Sequence, residues 1–156
     1  MYEELRKGHR KAVIISIVLI GSVLFDAVVV ELLKLYGGLN YPLATDAGLF
    51  KILKYVFLGL AVVDFFVIKI LRSISTAGMR KLGMTGAKLV NSMVVMSVVE
   101  GAICVSVAAS GLVLFYLGGD AAHFYKHLVT SLVLLGYFFP RLSDWEERWR
   151  AAELVH

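Results

Sequence analysis

The sequence predicts an all-α integral membrane protein, a four-helix bundle, from three observations. Apolar residues make up 59% of the 156 in the chain, and they gather into four blocks, each long enough to cross hydrocarbon as a helix. Strand-like alternation is absent, so helices rather than a closed barrel must satisfy the backbone groups that lipid cannot. Lys and Arg cluster at alternate block ends, as the positive-inside rule requires of a multi-pass protein of the cytoplasmic (inner) membrane.

The blocks are justified in order. The first span is residues 12–35. Arg6, Lys7, Arg10 and Lys11 precede it in the manner of a signal peptide. No small-residue cleavage pair follows, and Asp26 stands in its place, so an uncleaved span is expected. The second span is 49–71 and the third is 89–117, long enough to require tilt or protrusion. The fourth, 124–139, is ended by Pro140. The four spans and their connections form one transmembrane domain, residues 1–140, followed by a cytoplasmic tail, 141–156. Both termini and the second connection carry the basic residues and are expected in the cytoplasm. Tyr36, Tyr41, Tyr55, Tyr116 and Tyr125 fall at the outer interface, Tyr137 and Trp145 at the inner one.

The connections differ in character. Residues 36–48 contain Gly37, Gly38 and Pro42 and read as a turn-rich loop. Residues 73–88 read as a basic, Gly- and Ser-containing loop, a surface that a cytoplasmic partner could touch. In the tail, Ser143 and Glu146 have capping-box spacing. Leu142, Trp145, Trp149 and Ala152 recur at helical spacing. The tail is therefore expected to be an amphipathic helix lying in the inner interface, with Trp145 and Trp149 as anchors at headgroup level or as part of a docking surface.

Composition also excludes classes. The net charge of +4 is spread over span ends, where it reports topology and lipid contact rather than nucleic acid. Mean hydropathy is +0.79. A single cysteine, Cys104, rules out an internal disulfide or a multi-Cys metal site, and its apolar surroundings predict a buried thiol. No phosphate-binding glycine loop, HExxH or nucleophile elbow is present. No independent catalytic activity, catalytic residue or cofactor is therefore expected.

The residues that could carry chemistry are carboxylates in apolar runs: Asp26, Glu31, Asp64 and Glu100. A charged side chain in the bilayer centre costs roughly 3 kcal/mol on insertion scales, so it has a partner or a task. Glu31 lies near the outer edge and is explained by Lys34, three residues on. The nearest cation to Asp64 is Lys69. By Cα depth, no Lys or Arg is deep enough to pair with Glu100. It should then be protonated, hydrogen-bonded between helices, or open to a polar cavity. A carboxyl held near neutrality can load and unload a proton, with Asp64 and Asp26 in support. A protonated acid can equally act as interhelical glue, at about 1 kcal/mol.

Around Glu100, Ser97 and Gly101, then Ala102, Ser106 and Ser110, form small-residue rows suited to close packing within the bundle or between copies. The segment from Glu100 to Leu114, EGAICVSVAASGLVL, resembles the carboxylate helix of rotary ATPase proteolipids, the c or K ring subunits. The glycine repeat of that family's other helix is not matched: the first span has only Gly21 and the second only Gly59. The resemblance implies a ring-like homo-oligomer with Glu100 as the ion-binding carboxylate. The overall layout also resembles uncharacterised bacterial four-span proteins whose tail carries Pro-Arg-x-x-x-Trp, here Pro140, Arg141 and Trp145.

His123 and His127 share a helix face at i and i+4 and are weak candidates for a metal or haem site; alone they are two ligands. Three functional classes follow. The first is an ion- or proton-handling subunit using Glu100. The second is a non-catalytic accessory subunit within a homo-oligomer or a larger membrane assembly. The third is a haem- or quinone-binding anchor.

Overall fold

In the computed structural model, residues 2–36, 46–118 and 120–153 are described, and every regular element among them is a helix. They are α1 (Tyr2–Leu35), α2 (Ala47–Lys81), α3 (Gly86–Gly118), α4 (Ala121–Tyr137) and α5 (Leu142–Glu153). Gly37, Gly38, Tyr41 and Pro42, invoked above, lie outside the described residues. The chain is all-α, as its composition predicts.

α3 is the hub. It packs against α1, α2 and α4, and α5 crosses the end formed by α1 and α2. Its buried stripe holds small residues at three- and four-residue steps: Gly101, Cys104, Ala108 and Gly111. A Cβ on Gly101 would stand 2.4 Å from Leu19 of α1, and one on Gly111 would stand 3.2 Å from the Phe124 carbonyl of α4. The absence of side chains there lets both neighbours approach the α3 backbone. Across this contact the Ser131 hydroxyl donates to the Cys104 carbonyl at 2.7 Å, which satisfies a fully buried polar group. Cys104 is the buried, free thiol expected.

Local signals set the helix ends. Asp120 caps α4, its carboxylate accepting from the Ala122 N–H at 2.8 Å. Phe138 closes it, and Pro140 cannot continue it. α2 stops at Gly83, whose φ of 55° is left-handed. The Met84 N–H then donates back to the Met79 carbonyl at 3.2 Å, the six-to-one bond of a Schellman stop.

That stop corrects the expected loop at 73–88. Residues 73–81 continue α2 as helix, and only residues 82–85 turn. Ser, Thr and Gly in this stretch are tolerated because it is packed: Thr76 returns its hydroxyl to the Arg72 carbonyl at 2.8 Å, and Met79 is buried. α1 likewise extends back through the basic N-terminal segment, where Leu5 and Ala12 fall on the buried stripe.

The tail is corrected as well. α5 begins at Leu142, so Ser143 lies inside the helix rather than at its cap, with its hydroxyl 3.4 Å from Asp144. Trp145 and Trp149 do not sit outward as interfacial anchors. They are 3% and 6% exposed and complete a second core with Leu5, Ala12, Met79, Leu89, Val90 and Met93. His9 binds α5 to α1 by donating to the Pro140 carbonyl at 3.1 Å, with its ring edge-on to Trp145 at 5.6 Å. The apolar stripe of the tail has a protein partner, which removes more indole surface from water than an interface would.

The outer surface is apolar. Ile52, Val56, Leu60, Val63, Phe66, Ile70 and Ile74 form an exposed stripe along α2, about 33 Å long at 1.5 Å per residue. Comparable residues are exposed on α1 (Ile17, Phe25, Val28) and α4 (Val129, Val133). α1 and α3 each contain a stretch long and apolar enough to cross a membrane. These features support membrane association.

Gly8 tests the second core. A Cβ there would stand 2.1 Å from Val90 Cγ1 and 3.4 Å from Trp145. Gly8→Val should destabilise the protein by about 1–3 kcal/mol through overpacking, read as a lowered Tm in detergent and faster proteolysis of α5. An unchanged Tm would show that α5 is not seated on Gly8.

Candidate functional site

The site is built by the α2–α3 hairpin. Because α2 runs on to Lys81, Arg72 lies well inside the helix. Counted from the turn, Arg72 and Glu100 differ in level by a few residues, a gap that an arginine side chain covers. Arg72 Nε donates to Glu100 Oε1 at 2.9 Å, and Arg72 Nη2 donates to Oε2 at 2.6 Å. This is a two-bond, charge-assisted pair that fixes both planes. Glu100 is 2% exposed. Arg72 retains an exposed face, and its guanidinium lies 5.3 Å from the Phe138 ring centroid.

The expectation that no cation reaches Glu100 is therefore corrected. Depth counted on Cα atoms ignores the reach of arginine, and it ignored the extension of α2 beyond the apolar run. The sequence signal for the pair is the helix stop at Gly83, which brings Arg72 and Glu100 to within a few residues of one level on the two arms.

Beside the pair, a cavity of about 760 Å³ opens between α2 and α5. Arg72 stands in its wall, so one side chain touches both the buried carboxylate and the cavity. Lys69, Lys81 and Arg148 add positive charge, and Asp144 and Glu147 add negative charge. Burial, and then repulsion from Arg72, lowers the Arg148 pKa below the usual guanidinium range. Among the described residues neither Lys69, Lys81 nor Arg148 has a carboxylate within ion-pair distance. Lys69 instead lies 4.9 Å from the Phe65 ring centroid.

The other acids are not brought to this site. Asp26 and Asp64 are each half-buried on α1 and α2, and neither forms an ion pair among the described residues. Glu31 pairs with Lys34 at 3.0 Å as expected. It also accepts from the Tyr125 hydroxyl of α4, a partner with no local sequence signal.

The small-residue rows divide. Gly101 is buried as expected. Ala102 and Ser106 face outward, and Ser97 and Ser110 are half-buried. The three serines return their hydroxyls to their own helix, on Met93, Ile103 and Val107. Packing within the bundle is therefore carried by Gly101, Cys104, Ala108 and Gly111 rather than by the Ala102, Ser106, Ser110 row. The two rows lie on different faces of a helix that is small-sided nearly all round, and only tertiary contacts choose between them.

The histidines are individually engaged. His127 donates Nδ1–H to the His123 carbonyl at 2.9 Å, which leaves Nε2 as an acceptor. That atom is buried without a hydrogen-bond partner. His123 Nε2 lies 3.5 Å from Asp120, and burial, followed by the charge of Lys54, lowers its pKa. No group of three His, Cys, Asp or Glu side chains converges among the described residues.

No family model matches the chain, and no curated protein or solved structure matches it.

The pair makes a stability prediction. Removing one member leaves a charge stranded, so Arg72→Met or Glu100→Leu should each cost about 3 kcal/mol. Combining them should recover most of that loss, because an apolar pair of similar volume strands no charge. Denaturant unfolding of the three variants in detergent checks this. Additive losses would mean that the two groups do not interact.

Proposed function

We propose that the protein is a four-span protein of the cytoplasmic membrane, with both termini in the cytoplasm, that handles protons at Glu100. The apolar exposed surfaces of α1 to α4 support the spans. Twelve of the sixteen Lys and Arg residues lie toward the α5 end, which supports a cytoplasmic location for that end.

The observation that carries the proton reading is the position of Arg72, shared between a buried carboxylate and an open cavity. While Arg72 is bound, Glu100 keeps its charge. When Arg72 turns toward the cavity, Glu100 is left uncompensated in an apolar interior, and its charged form is penalised. It then takes up a proton. The return of Arg72 expels that proton. Movement of one guanidinium is thereby coupled to loading and unloading of one carboxyl, which suits an ion-handling subunit.

A second reading has its own support. Ala102 and Ser106 leave a small-residue face of α3 exposed, suited to packing against a second copy or another membrane subunit. In that reading the Arg72–Glu100 pair fixes helix register, and the protein is a non-catalytic member of an assembly. The resemblance of this helix to ring proteolipids fits either reading.

Reconstitution separates them. Vesicles containing the protein and an internal pH dye, under an imposed membrane potential, should acidify or alkalinise faster than empty vesicles. Glu100→Gln should lower that rate by tenfold or more, with the protein still inserted and helical. Wild-type flux at the level of empty vesicles, or full flux in Glu100→Gln, would contradict proton handling and leave the accessory reading.

A further inference from the structure

The cavity between α2 and α5 holds more positive charge than the Glu100 pair uses. Lys69, Arg72, Ser73 and Thr76 recur at three- and four-residue steps and share one face of α2, and all four line it. They present two cations and the Ser73 hydroxyl along one wall, the Thr76 hydroxyl being given to the Arg72 carbonyl. Arg148 of α5 supplies a guanidinium from the opposite side, and Lys81 adds a cation. Against them stand Asp144 and Glu147 in the lining, and Glu100 behind Arg72. Cations exceed carboxylates by one, and the three cations other than Arg72 have no ion-pair partner among the described residues.

Guanidinium and ammonium donors combined with hydroxyls are the groups that bind a phosphate. A phosphodiester carries one negative charge, which matches the excess. Outside the lining, Ile70 and Ile74 are exposed on α2, each one residue past a lining residue, and they continue the apolar stripe of that helix. A ligand with a phosphate head and an apolar tail would place its head among the cations and its tail along Ile70 and Ile74.

We propose that this cavity is a binding site for a phosphate group, that of an anionic phospholipid headgroup such as phosphatidylglycerol. The inference goes beyond the proton reading and does not depend on flux. A bound phosphodiester would bridge Arg72 and Arg148, relieving their mutual repulsion, and would tie α5 to α2. Basic pockets at helix ends on the positively charged side of a membrane protein are suited to such headgroups.

Native mass spectrometry of the full chain, delipidated in detergent, tests this. Phosphatidylglycerol and phosphatidylcholine would be titrated separately, with and without millimolar inorganic phosphate. One phosphatidylglycerol per chain should be retained about tenfold more tightly than phosphatidylcholine. Arg148→Gln should weaken that retention about tenfold. Lys69→Gln, at an exposed position, should weaken it several-fold and keeps the test open if the Arg148 variant fails to fold. Lys34→Gln, at the other end of the bundle, should have no effect. Retention that survives phosphate but falls in the Lys69 and Arg148 variants assigns the lipid. Phosphate binding that depends on those residues, without lipid retention, overturns the lipid source and assigns a soluble phosphate compound. Retention of both lipids unchanged in both variants, with no phosphate binding, overturns the proposal.

Discussion

A carboxylate in the middle of an apolar bundle must be neutralised, and the surrounding structure follows from how that is done. Glu100 is met by Arg72 through two short bonds. That contact sets the register of α2 against α3, because only a narrow range of offsets brings both guanidinium donors onto both oxygens. It also requires α2 to remain helical past its apolar run, so that Arg72 is held by intrahelical bonds on both sides. The turn at residues 82–85 is placed accordingly. The cost of burying the pair is offset by the two charge-assisted bonds and by the Phe138 ring against the guanidinium.

The second constraint is the seat of α5. Gly8 removes a side chain where Val90 and Trp145 must approach. Trp145 and Trp149 fill the space between the ends of α1, α2 and α3. His9 then satisfies the Pro140 carbonyl at the point where α4 gives way to α5. With α5 fixed in this way, Asp144, Glu147 and Arg148 are carried over the end of α2, and the space between becomes a cavity rather than an open surface. The pair and the cavity thus share Arg72, which gives one residue two possible electrostatic partners.

Much of the fold was legible because apolar runs of spanning length leave helices as the only economical structure. The Glu31–Lys34 pair was readable from its helical spacing. What was not legible has specific causes. The end of the apolar run at Leu71 reads as the end of a helix, whereas the stop is Gly83. Arg72, one residue past the apolar run, reads as a span-end charge, although its side chain reaches inward to Glu100. The tail tryptophans have the periodicity of an interfacial helix, and periodicity does not say whether lipid or protein covers the stripe. The contact of Tyr125 with Glu31 joins residues far apart in sequence, with no local pattern to mark it. The cavity combines two helices and is visible only once α5 is docked.

These features describe a membrane-associated helical protein in which one buried acid is held by one arginine at the edge of a basic cavity. The proton-handling reading, the accessory reading and the headgroup site all require that the acid be ionised while the arginine is bound. Infrared difference spectroscopy of the protein in lipid at neutral pH, wild type against Glu100→Gln, measures this directly. The account predicts that the substitution removes carboxylate stretching bands and leaves the protonated-carboxyl region unchanged. Loss of a protonated carboxylic acid band on substitution would contradict it, showing that Glu100 is neutral at rest and that Arg72 does not set its charge.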